Sequence, residues 1–350
     1  MSQKIAIIGA GLSGLAAAHR LSDHDLEIQI FEKSKGVSGR AASRSKVGCR
    51  YDHGANYFKV NCNEIAKLLF EELSTDDLCR IVGDIHTFDK HGKVSLGDQK
   101  QNAVAKWSYR SGISTLGKMI VESSGLEVTG SSRVTSMFRS QESWSVTTEG
   151  GETYEDFDGV LLTPPALQTK DIIAASDFDP APRSGIISEL DKAKYHSQFS
   201  IALNYLGNYF LPNDAYALIN SDREHPIAWV SLENRKAGHV PPEETLFIVQ
   251  MSPQWTIDHY DDPQETVISE ASNLLAELIS SHLPQPNWAD TQRWKFAHPY
   301  SAADAKAMRR TSTIGLFFAG DAFVGKGRIP ETIETGFNAA ADILEFLETP

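Results

Sequence analysis

Cysteine is scarce in this 350-residue sequence, and long apolar runs are absent from it. Only Cys49, Cys62 and Cys79 occur, and their spacings of 13 and 17 residues match no C-x2-C zinc or redox pattern. There is no N-x-[ST] sequon, no signal-peptide pattern at the N-terminus, and no apolar run that approaches the roughly 18 residues of a transmembrane helix. These absences predict a soluble protein of a reducing compartment, which we expect to be the cytoplasm.

Positive charge is also in deficit. Lys and Arg number 33 against 46 Asp and Glu, which gives a formal net charge of −13. This balance argues against nucleic-acid and anionic-membrane partners, so we expect neither. The 11 histidines include no H-E-x-x-H motif, and no metal site is expected. The 41% of hydrophobic residues can build sizeable cores, and the chain length suggests about two domains.

The N-terminal residues have the pattern of a βαβ unit. A buried strand over residues 4–8 is followed by a glycine-rich turn, a small-residue helix and a second strand over residues 26–32. In such a turn Gly9 permits the tight bend, Gly11 lets the backbone approach a pyrophosphate, and Gly14 allows close helix packing. The N–H groups at the helix N-terminus then face the phosphate. Glu32 ends the second strand, where its carboxylate can accept from ribose hydroxyls, so the pattern predicts a dinucleotide site.

Farther along, the chain changes character twice. Residues 33–59 are rich in Gly, Ser, Arg and Lys and are predicted as a loop, residues 63–78 as a helix, and residues 128–134 as a strand. Between residues 163 and 295 the pattern indicates an α+β region with an antiparallel sheet. Its predicted elements are strands over 199–205, 217–219, 227–232 and 246–251 and a helix over 265–281. Residues 313–347 return to strand, glycine-rich loop and helix.

Several further motifs resemble, in order along the chain, those of the flavin-containing amine oxidase superfamily. Glu32 is followed after six residues by Gly39-Arg40, which resembles the E-x6-G-R element with Ser38 in place of its usual first glycine. The other resembling segments are Asp52-His53-Gly54-Ala55-Asn56-Tyr57-Phe58 (D-x-G-A-x-x-F), Arg133-Val134-Thr135 after a strand, Leu161-Leu162-Thr163-Pro164-Pro165 (A/T-x-P) and Phe318-Ala319-Gly320-Asp321 (the C-terminal Gly-Asp signature).

The resemblance implies that the cofactor is FAD. We expect FAD to be held without a covalent bond, because no cysteine falls in the C-terminal segment. It places Arg40 at the phosphate or flavin end of FAD, Asp321 on its ribityl or phosphate hydroxyls, and the Val134 backbone on its adenine. The backbone N–H groups of Thr332 and Ile333 are expected at flavin N1 and C2=O. The full set of residues implied to bind FAD is Gly9, Ala10, Gly11, Leu12, Ser13, Gly14, Glu32, Lys33, Gly39, Arg40, Ala41, Gly54, Ala55, Asn56, Tyr57, Val134, Thr163, Gly320, Asp321, Thr332 and Ile333.

The resemblance also implies a fold. It is of the α/β class, with a Rossmann-type FAD-binding domain of the glutathione-reductase-like kind and an inserted α+β substrate domain that carries an antiparallel sheet. Because the cofactor motifs are spread over the chain, the FAD-binding domain is expected to be discontinuous. We assign it residues 1–80, 105–165 and 296–350, and we assign residues 81–104 and 166–295 to the substrate domain.

Within the superfamily, residues 107–118 and 229–236 and the pair Arg293-Trp294 resemble renalases. Renalases oxidise isomeric forms of NAD(P)H, passing a hydride to flavin N5 and then electrons to O2 to give H2O2, and the resemblance implies this activity here. One departure is Pro330-Glu331, where the relatives have an acid–glycine pair before the last helix. Because oxidation of a dihydropyridine yields an aromatic pyridinium, no catalytic acid or base is expected. The substrate-pocket candidates are Asn56, Tyr57, Trp229, Asn234 and Trp294.

Two alternatives stay open at this point. The chain could be an amine oxidase that removes a hydride from a small amine, since pocket shape rather than motif separates the two activities. It could also be a flavin-binding regulatory protein without turnover, an alternative that the departures at Ser38 and Pro330-Glu331 keep open. For the leading hypothesis the expected partners are a small-molecule substrate related to NAD(P)H and O2 as the electron acceptor, and the sequence leaves the oligomeric state open.

Overall fold

Strands and helices alternate along the chain, which this computed structural model describes for residues 2–60, 62–140 and 143–348. The strands, in chain order, are β1 Gln3–Ile8, β2 Leu26–Phe31, β3 Ser43–Lys46, β4 Cys49–Asp52, β5 Leu78–Arg80, β6 Ile85–Phe88, β7 Val94–Ser95, β8 Trp107–Tyr109, β9 Val128–Thr129, β10 Val134–Arg139, β11 Trp144–Thr148, β12 Thr153–Phe157, β13 Gly159–Leu162, β14 Lys194–Leu206, β15 Ala217–Asn220, β16 Ile227–Leu232, β17 Glu244–Met251, β18 Trp288–Ser301 and β19 Leu316–Phe318. The helices are α1 Leu12–Leu21, α2 Asn63–Lys67, α3 Gln99–Ala103, α4 Thr115–Ser124, α5 Ala166–Ala175, α6 Pro180–Leu190, α7 Pro253–Asp258, α8 Gln264–Leu278, α9 Ala305–Met308 and α10 Ile329–Glu348.

Five parallel strands form the sheet that carries the glycine-rich turn. Their spatial order is β19-β13-β1-β2-β9, and every neighbouring pair is parallel. One face shares a hydrophobic core with α1, α4 and α10, and the other packs against β10-β11-β12 and helices α5 and α6. Both faces are therefore covered, which explains why β1 is a run of apolar residues. Ligands of open α/β sheets bind at the carboxyl ends of the strands, and here Gly9, Glu32, Thr163 and Ala319 follow those ends.

A second sheet has seven strands in the order β18-β14-β17-β16-β15-β6-β7. Its pairs are antiparallel except for β15 with β6. Successive side chains of a strand point to opposite faces, and here one face packs its apolar residues onto α8. The opposite face carries polar and aromatic residues, among them Gln198, Trp229, Ser231, Gln250 and Trp294. This polar face is turned toward residues 53–57.

Three element predictions were wrong. The predicted loop over 33–59 contains the hairpin β3-β4, whose polar strands have no apolar alternation to reveal them. The predicted helix over 63–78 ends in a π-helical turn, Leu68–Glu72, and β5 follows at Leu78. The predicted strand over 128–134 is two strands in different sheets, β9 and β10.

The pattern also did not predict β18. This 14-residue strand lies at the edge of the seven-stranded sheet and carries many polar and half-exposed residues, so its hydrophobic alternation is weak. It runs through residues 295 and 296, where the sequence placed a domain boundary. The seven-stranded sheet also takes β6 and β7 from residues 81–104. The exact bounds of the two domains stay a prediction.

Within the described residues, no helix has both the length and the apolar character needed to cross a membrane.

Candidate active site

The glycine-rich turn connects the end of β1 to the start of α1. Gly9 has a positive φ of 102°, and a Cβ on Gly14 would overlap the Gly9 carbonyl oxygen, so both positions require glycine. At Gly11 a Cβ would meet no atom within 4 Å, which leaves open space beside the turn. The first N–H groups of α1, at Leu12 and Ser13, have no intrahelical acceptor and can bind an anion. The turn therefore fits the pyrophosphate of a dinucleotide.

Glu32, which follows the end of β2, stabilises this turn. Its carboxylate accepts hydrogen bonds from the Ala10 N–H at 2.8 Å and from the Ser34 N–H at 2.9 Å. The side chain is buried at the same sheet edge as the turn. A ribose hydroxyl at this edge would share the carboxylate with the backbone.

Three other residues implied to bind FAD have contacts within the protein. The Thr163 hydroxyl donates to the carbonyl oxygen of Gly9 at 3.1 Å and so stabilises the glycine-rich turn. The Lys33 ammonium donates to the side chain of Gln168 at 3.0 Å. Val134 begins β10 with its side chain buried. None of the three contacts requires a ligand.

The segment that contains Ser38 passes directly over the glycine-rich turn. The Ser38 N–H donates to the carbonyl of Ala10 at 2.8 Å. A Cβ on Gly39 would lie 3.1 Å from the Cα of Gly11. Ser38 and Gly39 both have positive φ, 83° and 58°. The serine that departs from the superfamily pattern thus adopts the left-handed conformation that favours glycine.

Arg40 and Asp321 form a bidentate ion pair. The guanidinium donates to the two carboxylate oxygens at 2.7 and 2.8 Å, and the Tyr195 hydroxyl donates to the same carboxylate at 3.0 Å. Arg40 also donates to the carbonyls of Phe296 and Ala297 in β18. Two residues implied to contact FAD therefore hold each other, and they join three distant parts of the chain.

The start of α10 carries the two N–H groups that were expected to face the flavin. The Thr332 N–H donates to the Arg328 carbonyl at 3.0 Å, and the Ile333 side chain is fully buried in the hydrophobic core. The helix begins at Ile329, one residue before Pro330, and the assignment of these N–H groups to the flavin stays a prediction. Other residues implied to bind FAD lie around the same sheet edge: Ala10, Leu12, Ser13, Ala41, Ala55 and Gly320.

The backbone of residues 53–57 is held by side chains of the seven-stranded sheet. The Trp294 indole N–H donates to the His53 carbonyl at 2.9 Å, and its ring stacks on the His53 ring. The Gln250 amide donates to the Gly54 carbonyl at 3.0 Å. A Cβ on Gly54 would overlap the carbonyl oxygen of Arg40, which explains the glycine.

Asn56 and Tyr57 lie beside an aromatic group formed by Tyr57, Tyr216 and Trp229. The Tyr57 and Trp229 rings are nearly parallel, 6.0 Å apart, and Tyr216 packs edge-on against both. The Ser231 hydroxyl donates to the Asn56 amide oxygen at 2.7 Å. Among the described residues, nothing accepts from the buried Trp229 indole N–H. An unpartnered donor in an aromatic group is suited to the polar edge of a flat ligand.

Asn234 lies outside this group. Its amide donates to the Glu244 carbonyl at 2.7 Å and accepts from the Leu246 N–H at 3.0 Å. The exposed side chain thus fixes a short helical turn to β17, and the structure does not bring it together with Tyr57 and Trp229.

Sequence reasoning missed Gln250, Ser231 and Tyr216. The first two are polar positions between apolar neighbours in β17 and β16, the alternation of a strand with one polar face. That signal shows that a side chain faces away from the core. It does not show what the side chain contacts.

The histidines near the site are neutral at neutral pH. Burial lowers the pKa of His53 to about 4, with the Arg44 charge acting in the same direction. Burial, with the charges of His196 and Arg328, lowers the pKa of His298 to about 4. Neither imidazole presents a positive charge to a ligand.

Next to residues 53–57 lies a fully buried ionic cluster of Asp52, Glu233, Lys236 and His239. The Lys236 ammonium lies 2.8 Å from Asp52 and 2.7 Å from Glu233, and His239 lies 2.8 Å from the other oxygen of Glu233. The carboxylates and His239 are close enough together to ligate a metal ion, but the lysine ammonium already supplies a cation between the two acids. Because Asp52 directly precedes His53, the buried ionic cluster fixes where residues 53–57 begin.

Two families match the chain. Residues 7–73 match an NAD(P)-binding Rossmann-like domain, and residues 79–344 match the flavin containing amine oxidoreductases. The chain belongs to the flavin containing amine oxidoreductases. Members of this family are FAD-dependent oxidoreductases, so the cofactor of this flavin amine oxidoreductase is FAD, and the turn at Gly9–Gly14 fits its pyrophosphate.

Individual proteins agree with this assignment. Renalase from Mus musculus is 25% identical to this chain over 338 residues, which cover 91% of this chain and 93% of renalase. The structure of cyclohexylamine oxidase from Brevibacterium oxydans IH-35A matches with a TM-score of 0.76 at 14% identity over 99% of this chain and 100% of that one. Reduced UDP-galactopyranose mutase matches with a TM-score of 0.78 at 13% identity over 100% and 95%. The two structures are similar in fold, and with the family matches they confirm the predicted Rossmann-type fold.

Proposed function

We propose that this flavin amine oxidoreductase oxidises a dihydronicotinamide-type substrate, an isomeric form of NAD(P)H, as its resemblance to renalases implies. The observation that carries the proposal is the character of the aromatic group beside residues 53–57. The rings of Tyr57, Tyr216 and Trp229 pack on one another, and the nearby polar groups, such as Asn56 and Gln250, are uncharged. A flat heteroaromatic ring can stack on such a group.

The proposed reaction needs no base from the protein. When a dihydropyridine loses a hydride, it becomes an aromatic pyridinium, and no proton has to be removed. The chemistry that bound FAD would supply is acceptance of the hydride at N5 and transfer of both electrons to O2, which leaves as H2O2 after it takes up the transferred hydrogen and one proton. Neutral His53 and His298 agree with a site that moves no proton from the substrate.

The residues of the chain would orient the substrate. Hydrogen bonds from Trp294, Gln250 and Ser231 hold residues 53–57 in one conformation. The Trp229 indole N–H is then a fixed donor for the carboxamide of a nicotinamide ring. Rigid placement of two reacting groups is a large source of rate enhancement, so we expect these three hydrogen bonds to increase the rate of hydride transfer.

An anaerobic stopped-flow experiment tests the proposal. The holoenzyme is mixed with isomeric dihydronicotinamide dinucleotides and, separately, with putrescine and cyclohexylamine, and bleaching of the flavin absorbance is followed. We expect the dihydronicotinamides to bleach the flavin, and we expect one H2O2 per substrate when O2 is admitted. Fast bleaching by the amines alone would support the amine-oxidase alternative and overturn the proposal.

The same experiment addresses the alternative of a flavin-binding regulatory protein. A protein that binds FAD but is reduced by neither class of substrate would support that alternative. We also propose that FAD is bound without a covalent link. Denaturation should therefore release all of the yellow cofactor into the supernatant, where its absorbance is measured.

A further inference from the structure

The start of β14 and the end of β18 lie against the sheet edge that carries Asp321. Asp321 follows β19 in the Gly-Asp motif and is buried. Arg40 and Tyr195 both donate hydrogen bonds to its carboxylate. Tyr195 belongs to the seven-stranded sheet and is not among the residues that the family resemblance implies for FAD binding. The contact therefore adds a residue of the second sheet to the surroundings of the expected cofactor.

Strand β18 departs from regular pairing at this point. One residue of β14, Ser197, lies opposite three residues of β18, 295–297. The Ser197 hydroxyl donates to the first of their three carbonyls at 3.0 Å, and Arg40 donates to the other two at 3.1 and 3.3 Å. Bulges of this kind occur at sheet edges and next to active sites, where they redirect side chains or end pairing. The bulge of β18 supplies the backbone acceptors that fix the Arg40 guanidinium.

Tyr195 is held in place by its ring. The ring packs edge-on against the Phe296 ring, with 5.8 Å between the centroids, and the guanidinium carbon of Arg40 lies 5.8 Å from the Tyr195 centroid. Burial raises the pKa of Tyr195 above its ordinary value, and the charge of Asp321 acts in the same direction. The hydroxyl is therefore protonated at neutral pH and is a fixed donor to Asp321.

The carboxylate of Asp321 has few acceptor sites left. An ionised carboxylate offers about four, two on each oxygen. Within the described residues, Arg40 uses one site on Oδ2 at 2.7 Å and one on Oδ1 at 2.8 Å, and the Tyr195 hydroxyl uses the second site on Oδ1 at 3.0 Å. One acceptor site on Oδ2 remains for a hydroxyl group of a ligand.

We propose that Tyr195 is a positioning residue for FAD, which orients the Asp321 carboxylate so that Oδ2 accepts from a hydroxyl of the cofactor. The inference rests on the implied role of Asp321 in FAD binding and is independent of the substrate. An acceptor that is oriented before the ligand arrives lowers the entropic cost of binding. Tyr195 lies three residues before Gln198, which pairs with Trp294, so one strand supports both the cofactor edge and residues 53–57.

Fluorescence titration of the deflavinated protein with FAD tests the proposal without a substrate. Tyr195→Phe keeps the ring and its packing and removes only the hydroxyl. The matched control is Tyr205→Phe on the same strand, which removes a hydroxyl that lies 2.8 Å from the Ser272 hydroxyl on α8. We expect the Kd for FAD to rise about tenfold in Tyr195→Phe, the equivalent of one hydrogen bond to a charged group, and to stay unchanged in Tyr205→Phe. An unchanged Kd in Tyr195→Phe, or an equal rise in both variants, would overturn the proposal.

A double-mutant cycle shows whether Tyr195 acts through Asp321. Asp321→Ala removes both acceptor oxygens, and we expect it to raise the Kd for FAD by more than Tyr195→Phe does. Added to Asp321→Ala, Tyr195→Phe should change the Kd by less than about twofold, because substitutions within one hydrogen-bonded network are not additive. If Asp321→Ala does not fold, the comparison of the two tyrosine variants decides the proposal.

Two results of the cycle would contradict the role of Tyr195. One is an equal effect of Tyr195→Phe with and without the Asp321 carboxylate, which would mean that the hydroxyl acts through another group. The other is full FAD affinity in Asp321→Ala, which would mean that the carboxylate does not hold the cofactor. Since no substrate is present, neither result depends on whether dihydronicotinamides or amines reduce the flavin.

Discussion

Single side chains of the seven-stranded sheet decide the position of residues 53–57. Trp294, Gln250 and Ser231 each contribute one hydrogen bond, and each stands on a different strand. A polar tether of this kind positions a backbone without touching the substrate itself. At the residue scale we propose that these three are positioning residues, while Tyr57 and Trp229 are the candidates for substrate contact.

The hydrogen bond from the Trp294 indole N–H to the His53 carbonyl can be tested by Trp294→Phe, which keeps a stacking ring but removes the N–H. We expect a loss of about 1 kcal/mol in unfolding free energy and flavin reduction slowed by about tenfold or more at saturating substrate, because residues 53–57 lose their fixed position. The matched control is Trp144→Phe, which removes an indole hydrogen bond to the Ile314 carbonyl far from the site. If both variants lose stability but neither slows reduction in stopped-flow, Trp294 is merely structural.

Lys236 is the residue on which the buried ionic cluster depends. Lys236→Met removes the ammonium that lies between the buried carboxylates of Asp52 and Glu233 and leaves Asp52 without its ion-pair partner, and we expect a cost of about 3–5 kcal/mol in denaturant unfolding. Lys170→Met, which breaks a partly exposed pair with Asp191, should cost about 1 kcal/mol or less. Equal, small losses in the two variants would contradict the role assigned to the cluster.

The pH dependence of stability should report His239 in the same cluster. Burial opposes its charge, but the hydrogen bond and charge of Glu233 raise the pKa of His239 above its ordinary value. A raised folded-state pKa gives stability that is complete below the unfolded-state value and is lost as pH rises through the folded-state value. Urea unfolding from about pH 6 to about pH 9 should therefore show the advantage of the wild type over His239→Gln shrinking with pH. A constant difference, like that for the exposed His24→Gln, would exclude a charged His239.

At the scale of secondary-structure elements, the contact between the first turn of α1 and the end of β1 defines the dinucleotide edge. Gly14 allows it, because any side chain there would overlap the Gly9 carbonyl oxygen. The helix then directs its free N–H groups into the space beside Gly11. One element junction thus supplies both the close packing and the proposed anion site.

Gly14→Ala tests this junction against Gly185→Ala in α6, where a Cβ would meet no atom within 4 Å. The first substitution must displace α1, and we expect a loss of about 1–3 kcal/mol together with weaker FAD binding. The second should stabilise the protein by about 0.5–1 kcal/mol, since alanine is the better helix former. Thermal unfolding and FAD titration measure both effects. Full FAD affinity in Gly14→Ala would show that the contact is dispensable.

At the scale of the whole molecule, the residues that we propose for the FAD site come from opposite ends of the chain. Gly9 and Asp321 lie at one edge of a single parallel sheet, and Arg40 joins that edge to β18 of the other sheet. A ligand at this edge is expected to stabilise the entire fold, since unfolding either end destroys its site.

Removal and re-addition of FAD tests that coupling. Free FAD at about 100 times its Kd should raise the unfolding free energy of the apoprotein by about 2.7 kcal/mol. Riboflavin lacks the pyrophosphate and cannot use the turn at Gly11, so at the same concentration it should stabilise the protein less. Equal stabilisation by the two ligands in thermal unfolding would contradict the assigned pyrophosphate site.

What could be predicted from sequence was local or repetitive. The βαβ unit, the glycine-rich turn and the core strands of the antiparallel sheet each have a short-range pattern. The hairpin β3-β4, the polar edge strand β18 and the split of residues 128–134 into two strands do not, because their pairing is decided by distant neighbours. The assignment of the Thr332 and Ile333 N–H groups to the flavin rests on the family resemblance and stays a prediction.

The sequence by itself determined the cofactor edge of this protein. A strand, three glycines and an acid within about thirty residues form a phosphate-binding turn whatever surrounds them, because backbone geometry and helix N–H groups do the work. Only the tertiary structure decided the substrate side. Lys236 meets Asp52 across 184 residues of chain, and Trp294 meets His53 across 241. Contacts between residues so far apart depend on how two sheets pack, and no short pattern encodes that packing.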